Sequence, residues 1–214
     1  MRSSGSTPNP RGRPPIRRWV WIVGNDHPRV CTGRRLLHLG LAEEARALSG
    51  PASSPIVLDP YASEPLSAAD LPAAERGGIL AVDCSWNSLA DAGHLPGLRA
   101  THDLSRRRRL PFLIATNPQH YGRLGELNTV EALGAALYVL GRPEEAAELL
   151  HGFAGGPAFV EVNHALLKRL AQTRTAGAVR QAERAFYGGD RASTGDSAPP
   201  TRSPVPPRRR ITLR

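Results

Sequence analysis

Lysine is almost missing from this chain: of its 28 basic residues only Lys168 is not an arginine. Such a bias suits bidentate contact with phosphate, and a GC-rich coding sequence would produce it equally well. Sulfur is scarce too. Cys31 and Cys84 cannot build a disulfide framework, and neither stands in a Cys-x-x-Cys or Cys/His spacing that would hold zinc. The seven histidines do not cluster at metal spacing, so no metal site is expected. No Gly-x-Ser-x-Gly elbow or Walker loop occurs, and Gly122-Arg123-Leu124-Gly125 is too loose for a dinucleotide fingerprint, which disfavours hydrolases and nucleotidases. No run approaches the ~20 consecutive apolar residues of a membrane span. Met1 leads into Arg, Ser, Gly and Pro, not into an apolar signal core. These absences point to a soluble, cytoplasmic protein without membrane contact.

What is present is a 214-residue chain, 40% apolar and 22% charged, enough for one domain or two small ones. Its formal charge of +9 suggests a polyanionic partner, but the charge is unevenly placed. Residues 1–18 hold five arginines and no acid, while residues 188–214 hold six arginines against Asp190 and Asp196. The stretch between them is neutral. Glycine and proline crowd the same two ends, which lack hydrophobic periodicity and are expected to be disordered. Four segments follow: a basic arm at 1–18, an α/β part at 19–115, a loop and helical part at 116–187, and a Pro/Arg-rich tail at 188–214.

Trp19 to Val23 reads as a short buried strand that breaks at Gly24-Asn25-Asp26-His27-Pro28. Arg34 to Leu48 follows as a helix, with Leu37, Leu41, Ala45 and Leu48 at helical spacing and Thr32-Gly33 at its entrance. Pro55 to Leu58 is a second strand, Ser67 to Arg76 a helix opened by Ser67 with Asp70 three residues on, and Gly78 to Val82 a third strand. Pro111 to Ala115 supplies a fourth apolar run, ended by Thr116-Asn117-Pro118. From Leu127 the pattern is helical: Thr129–Leu140, Pro143–Leu150, Ala158–Ala171 and Ala176–Phe186. Alternation of this kind predicts a parallel α/β sheet with a helical C-terminal layer.

Ligands of open α/β sheets collect at the carboxyl ends of the strands, which directs attention to the loops after Val23, Val82 and Ala115. In the first, Thr32 would stand at a helix start, where it serves either as a cap or as a binder of carboxylate or phosphate. The second is Asp83-Cys84-Ser85-Trp86. Its tryptophan could stack on an aromatic ligand or face a cation, or it could be a buried residue beside a capping aspartate. Arg106 to Arg109 is the one basic run inside the folded part, either a solvated edge or a phosphate contact.

Taken together and in order, Cys31-Thr32-Gly33-Arg34-Arg35-Leu36, Val82-Asp83-Cys84-Ser85-Trp86, and Asn117-Pro118 with Tyr121-Gly122 and Leu127-Asn128-Thr129-Val130-Glu131-Ala132-Leu133 resemble the small-subunit rRNA aminocarboxypropyltransferase family of ribosome biogenesis. Phe159-Val160-Glu161-Val162-Asn163 is similar as well, and the resemblance spans about Trp19 to Arg184.

The resemblance implies a SPOUT-like knotted parallel sheet, with 19–115 as its cofactor-binding part and 116–187 beginning near the knot. It also implies S-adenosylmethionine as the donor of a 3-amino-3-carboxypropyl group, and a modified uridine of small-subunit rRNA as the acceptor. The sulfonium has three carbons open to attack, so the product depends on which carbon the site exposes. By resemblance, Trp86 walls the methyl and faces the sulfonium, Thr32 binds the amino acid end, and Leu110 with its neighbours cradles ribose and adenine. Val82 and Thr129 fall where the family touches the cofactor. Asp83 meets either the cofactor's positive charge or the acceptor's proton. RNA contact is expected from Arg29, Arg34 and Arg35 in the first block and from Arg107 and Arg108 in the basic run, with the protein acting as a monomer.

His27 stands where the family commonly has aspartate, Val30 where it often has a basic residue, and Gly125 where a bulky residue is usual. Two rival outcomes remain open on the sequence: methyl transfer or alkyl transfer to tRNA, and a non-catalytic RNA-binding assembly factor.

Overall fold

The computed structural model describes residues 13–23, 31–45, 54–95 and 106–188. The two basic arms and Arg29, with His27 and Val30 beside it, fall largely outside that range. Order does not wait for Trp19. Ile16 is buried, and its backbone N–H donates to Glu145 Oε2 at 3.1 Å, so the last residues of the expected arm belong to the core.

Five parallel strands form one sheet in the order β2-β1-β4-β3-β5: β1 Arg18–Ile22, β2 Glu43–Glu44, β3 Ile56–Leu58, β4 Ile79–Asp83 and β5 Arg107–Arg108. The register sets Val20 beside Ala81 and Val57 beside Leu80. Side chains then alternate between two apolar clusters, as the pleat requires. Val20, Ile56, Leu58, Ile79 and Ala81 enter the main core, whereas Trp19, Trp21, Val57, Leu80 and Val82 enter a smaller cluster on the opposite face. Burial on both faces explains why these strands read as unbroken apolar runs.

The expected helix at 34–48 is cut short. Helix α1 spans Thr32–His38 and ends where Gly40 takes a φ of 66°, after which the chain turns into the edge strand β2. Ala45 N–H donates to Val20 carbonyl at 2.9 Å, so this segment serves the sheet. The Ser67 helix start is a 3-10 turn, Ala68–Asp70, running into α2 Leu71–Gly77. Helix α3 is Trp86–Ala92.

The fourth apolar run is not a strand of the sheet. That place is taken by the two arginines of β5, while 111–115 runs outside it and makes only a bridge between Ile114 and Leu124. Its backbone groups are met by the 122–125 backbone at Leu113 and Ala115 and by side chains at Phe112 and Ile114. Ile114 N–H donates to Asn163 Oδ1 at 2.8 Å, Asn163 Nδ2 donates to Ile114 carbonyl at 2.9 Å, and Phe112 N–H donates to Glu183 Oε1 at 3.1 Å.

The helical layer is α4 Thr129–Val139, α5 Pro143–His151, α6 Gly156–Val162, α7 His164–Leu170 and α8 Ala176–Gly188. The single helix expected at 158–171 is broken at Asn163. The buried Asn163 amide also donates to Phe159 carbonyl at 2.9 Å, so the side chain that serves Ile114 competes for the helix's own acceptor. Helix α4 carries the centre of the main core with Val130, Leu133, Ala136, Leu137 and Val139.

Candidate active site

β4 ends at Asp83, and the starts of α1, α3 and α4 gather around that end. Ser85, not Asp83, caps α3, its Oγ accepting from Ser88 N–H at 3.1 Å. Cys31, not Thr32, caps α1, its Sγ accepting from Arg34 N–H at 3.4 Å. Asn128 caps α4 in a reciprocal box with Glu131. Thr32, Trp86 and Thr129 are thereby the first residues of three helices.

Asp83 ties these starts together. Its Oδ2 accepts from Gly33 N–H at 2.9 Å and from Cys31 Sγ at 2.8 Å, and its Oδ1 accepts from Thr129 Oγ1 at 2.5 Å. Position 33 must be glycine for this approach, because a Cβ there would sit 2.5 Å from Asp83 Oδ2. Burial, and then the hydrogen bond to Asp83, push the Cys31 thiol up to about 11. The thiol therefore stays protonated near neutral pH and serves as a donor.

Trp86 is half-buried and held on its polar edge, with Nε1 donating to Leu127 carbonyl at 3.0 Å. A cavity of about 370 Å³ opens here, lined among others by Thr32, Val82, Asp83, Trp86, Leu110 and Thr129. All six cofactor and catalytic positions expected from the sequence thus border one space. Its lining combines an indole, aliphatic groups and a carboxylate, a setting for a small organic ligand with a cationic centre. Gly125 also borders the cavity with a φ of 82°, a backbone state that favours glycine.

Sequence reasoning missed two features of this wall. His120 lines the cavity, and its Nδ1 pairs with Glu126 Oε2, which also takes Arg123 Nη1 at 3.0 Å. Glu131, fully buried, accepts from Thr116 N–H at 2.7 Å, Thr116 Oγ1 at 3.0 Å, Asn117 Nδ2 at 2.7 Å and Asn128 N–H at 3.0 Å, which fixes the loop carrying His120. The carboxylate that closes the Asn128 box thus also holds a distant loop, a pairing that leaves no periodic mark in the sequence.

Of the expected RNA-contacting arginines, Arg29 lies outside the described residues and the other four fall into two separate pairs. Arg34 and Arg35 are exposed on α1, and Arg35 lies 5.1 Å over the Phe153 ring with Nη2 donating to Gly152 carbonyl at 3.0 Å. Arg107 and Arg108 sit in the sheet beside acids. Arg107 Nε lies 3.1 Å from Asp59 Oδ2 at an angle unsuited to a hydrogen bond, while Arg108 Nε donates to Asp70 Oδ1 at 3.0 Å. Both line a separate groove together with Asp59 and Glu64, which lowers its attraction for phosphate.

A family model described as "Ribosome biogenesis protein, C-terminal" matches residues 56–187, from β3 into the last turn of α8. The 16S rRNA aminocarboxypropyltransferase of Methanopyrus kandleri is 40% identical over 159 residues, 74% of this chain and 91% of that protein. The chain belongs to this family. The 16S rRNA aminocarboxypropyltransferase of Vulcanisaeta distributa is 38% identical over 72% of this chain and 80% of its own length. The 18S rRNA aminocarboxypropyltransferase of Schizosaccharomyces pombe is 35% identical over 78% of this chain and 56% of that longer protein. Among solved structures, the SAM-dependent rRNA:acp-transferase Tsr3 from Vulcanisaeta distributa superposes with a TM-score of 0.69 at 36% identity, covering 84% of this chain and 93% of that one. That match reaches beyond the family model, so the parallel α/β architecture is shared on a wider span than 56–187.

Proposed function

We infer that the chain transfers the 3-amino-3-carboxypropyl group of S-adenosylmethionine to a modified uridine of small-subunit rRNA during ribosome biogenesis. The observation that carries this is the convergence of Thr32, Val82, Asp83, Trp86, Leu110 and Thr129 on one cavity in a chain of this family. The donor set fits the cofactor: an indole for the methyl and sulfonium, a carboxylate near the positive charge, a polar helix start for the amino acid end and aliphatic walls for the nucleoside.

When bound, S-adenosylmethionine supplies an alkyl carbon made electrophilic by its sulfonium. The chain's task is to choose which carbon is open. Trp86 is fixed by Leu127 and offers its indole to the methyl side. Asp83 contributes its charge, and Cys31, Gly33 and Thr129 fix its orientation through three hydrogen bonds while Oδ1, which accepts only one of them, keeps acceptor capacity for the cofactor's positive charge or the acceptor's proton. Thr32 holds the ligand's amino acid end, Leu110 and its neighbours line the nucleoside side, and Val82 and Thr129 border the cofactor between them. Arg34 and Arg35, exposed on α1, meet phosphates beside the site together with Arg29, while Arg107 and Arg108, already engaged by Asp59 and Asp70, contribute only weakly. The protein acts as a monomer in the cytoplasm, and its chain is threaded as in knotted SPOUT enzymes.

Titration of two variants with two ligands tests the site. Trp86→Ala removes apolar contact with the methyl and attraction to the sulfonium, the latter worth about 0.5–2 kcal/mol. Binding of S-adenosylmethionine should weaken by more than about tenfold, and S-adenosylhomocysteine, which lacks the methyl and the charge, should lose less. Loss of the hydrogen bond to Leu127 affects both ligands and cancels in this comparison. Thr32→Ala should weaken both ligands alike. Equal losses for both ligands in Trp86→Ala would reduce Trp86 to a core residue and remove the basis for choosing the alkyl carbon.

A further inference from the structure

Of the seven large apolar side chains left exposed among the described residues, five lie on two adjoining segments: Phe112, Tyr121 and Leu124 on the 111–125 loop, and Phe186 and Tyr187 at the end of α8. The segments are fastened together, because Tyr187 Oη donates to Phe112 carbonyl at 2.6 Å and Glu183 takes both Phe112 N–H and the Arg109 guanidinium. The Phe186 and Tyr187 rings meet edge to face at 5.1 Å, and Arg109 lies 5.3 Å over the Phe112 ring. A scatter of single exposed apolar residues is ordinary; a concentration on one patch marks a contact surface.

The patch is continuous with the cavity. Phe112, His120 and Gly125 line the cavity, and the exposed Tyr121 and Leu124 are their chain neighbours. We propose that this aromatic strip is a stacking platform for the single-stranded nucleotides flanking the acceptor base, an inference that rests on the acceptor being RNA.

Chemistry favours that occupant. A base that enters a closed cavity must leave its own stack, which strips its neighbours of partners. Rings beside guanidinium groups replace those partners. The exposed Arg123 lies on the loop, and the exposed Arg184 precedes Tyr187 by one helical turn. Residues 189–214, which continue the chain directly from α8, carry six arginines against two aspartates. A partner that is flat-faced and anionic suits both features, whereas that arginine- and proline-rich tail has few apolar side chains with which to cover the patch itself.

The test is fluorescence anisotropy with a labelled, uridine-rich single-stranded RNA of ~12 nucleotides, within the range one stacking groove spans, using the full chain. Tyr121→Ala and Phe186→Ala should each weaken binding by about five- to fiftyfold. Tyr121→Leu and Phe186→Leu keep apolar bulk without a π-face and should weaken it as much. Tyr121→Phe and Phe186→Tyr should bind within about twofold of the parent. Cofactor affinity should be unchanged throughout, which also confirms that the variants fold. Parent-like RNA binding by both alanine variants overturns the proposal, as does restoration of binding by leucine. A change in sedimentation on alanine substitution with RNA affinity intact also overturns it, in favour of a second copy as occupant. If the parent binds S-adenosylmethionine but transfers nothing to rRNA, the functional reading itself has failed, whatever the patch variants do.

Discussion

Asp83 shows how much of the site depends on one carboxylate. An amide at this position keeps one acceptor oxygen and turns an NH₂ toward groups that themselves donate. Asp83→Asn should therefore cost about 1–3 kcal/mol of stability, read from denaturant midpoints, and should weaken cofactor binding. Thr129→Val removes only the donor of one bond to Asp83 and should cost less. An Asp83→Asn protein as stable as the parent would contradict the tying role of this carboxylate. The thiol beside it makes a prediction in pH. Cys31 rises from 9.0 to about 11 on folding, first through burial and then through Asp83, so the fold favours the protonated form. That contribution is whole below the unfolded value and is lost as pH rises through the folded one. Melting temperature between pH 9 and 11 should fall more steeply for the parent than for Cys31→Ala, and parallel curves would count against the buried hydrogen bond.

At the scale of elements, Asn163 joins parts that are distant in sequence. It ends α6 and serves both backbone groups of Ile114. Asn163→Ala leaves those groups without partners in a buried setting and should destabilise the protein by about 2–5 kcal/mol in urea unfolding. A loss below about 1 kcal/mol would mean that water or a shifted helix takes over the role. The same residue explains a limit of the sequence pattern. The apolar periodicity of 158–171 is continuous, and nothing in it marks a side chain that prefers a distant strand-like segment to its own helix. Strands β1, β3 and β4 were legible because burial on both faces demands unbroken apolar runs. β5 was not, because a two-residue edge strand joins the sheet through its backbone and is free to be Arg107-Arg108. The 111–115 run has the composition of a strand, but helix side chains and the 122–125 backbone, not a sheet neighbour, supply its hydrogen bonds. The candidate positions Thr32, Asp83, Trp86 and Thr129 came from the resemblance of three ordered blocks, since residue chemistry alone left a cap or a core role open for Thr32 and Trp86. His120 with Glu126 and the far reach of Glu131 left no mark, since each pairing is made by loop geometry.

For the whole molecule, charge and fold are separate. Residues 1–12 and 189–214 hold eight of the arginines, while Ile16 belongs to the core. A variant trimmed to 13–188 should keep its cofactor affinity and lose RNA affinity, with a flatter dependence on salt as fewer counterions are released. Cutting to residue 18 should instead destabilise the protein, because it removes Ile16 and its bond to Glu145. A large loss of cofactor affinity in the 13–188 variant would show that the arms belong to the site. The cavity's central task is to expose the alkyl carbon and hide the methyl. Incubation of the protein with small-subunit rRNA and S-adenosylmethionine labelled either in the carboxyl group or in the methyl group tests this most directly. Label should enter the RNA from the carboxyl position alone; transfer of the methyl label, or of neither, would contradict that choice of carbon.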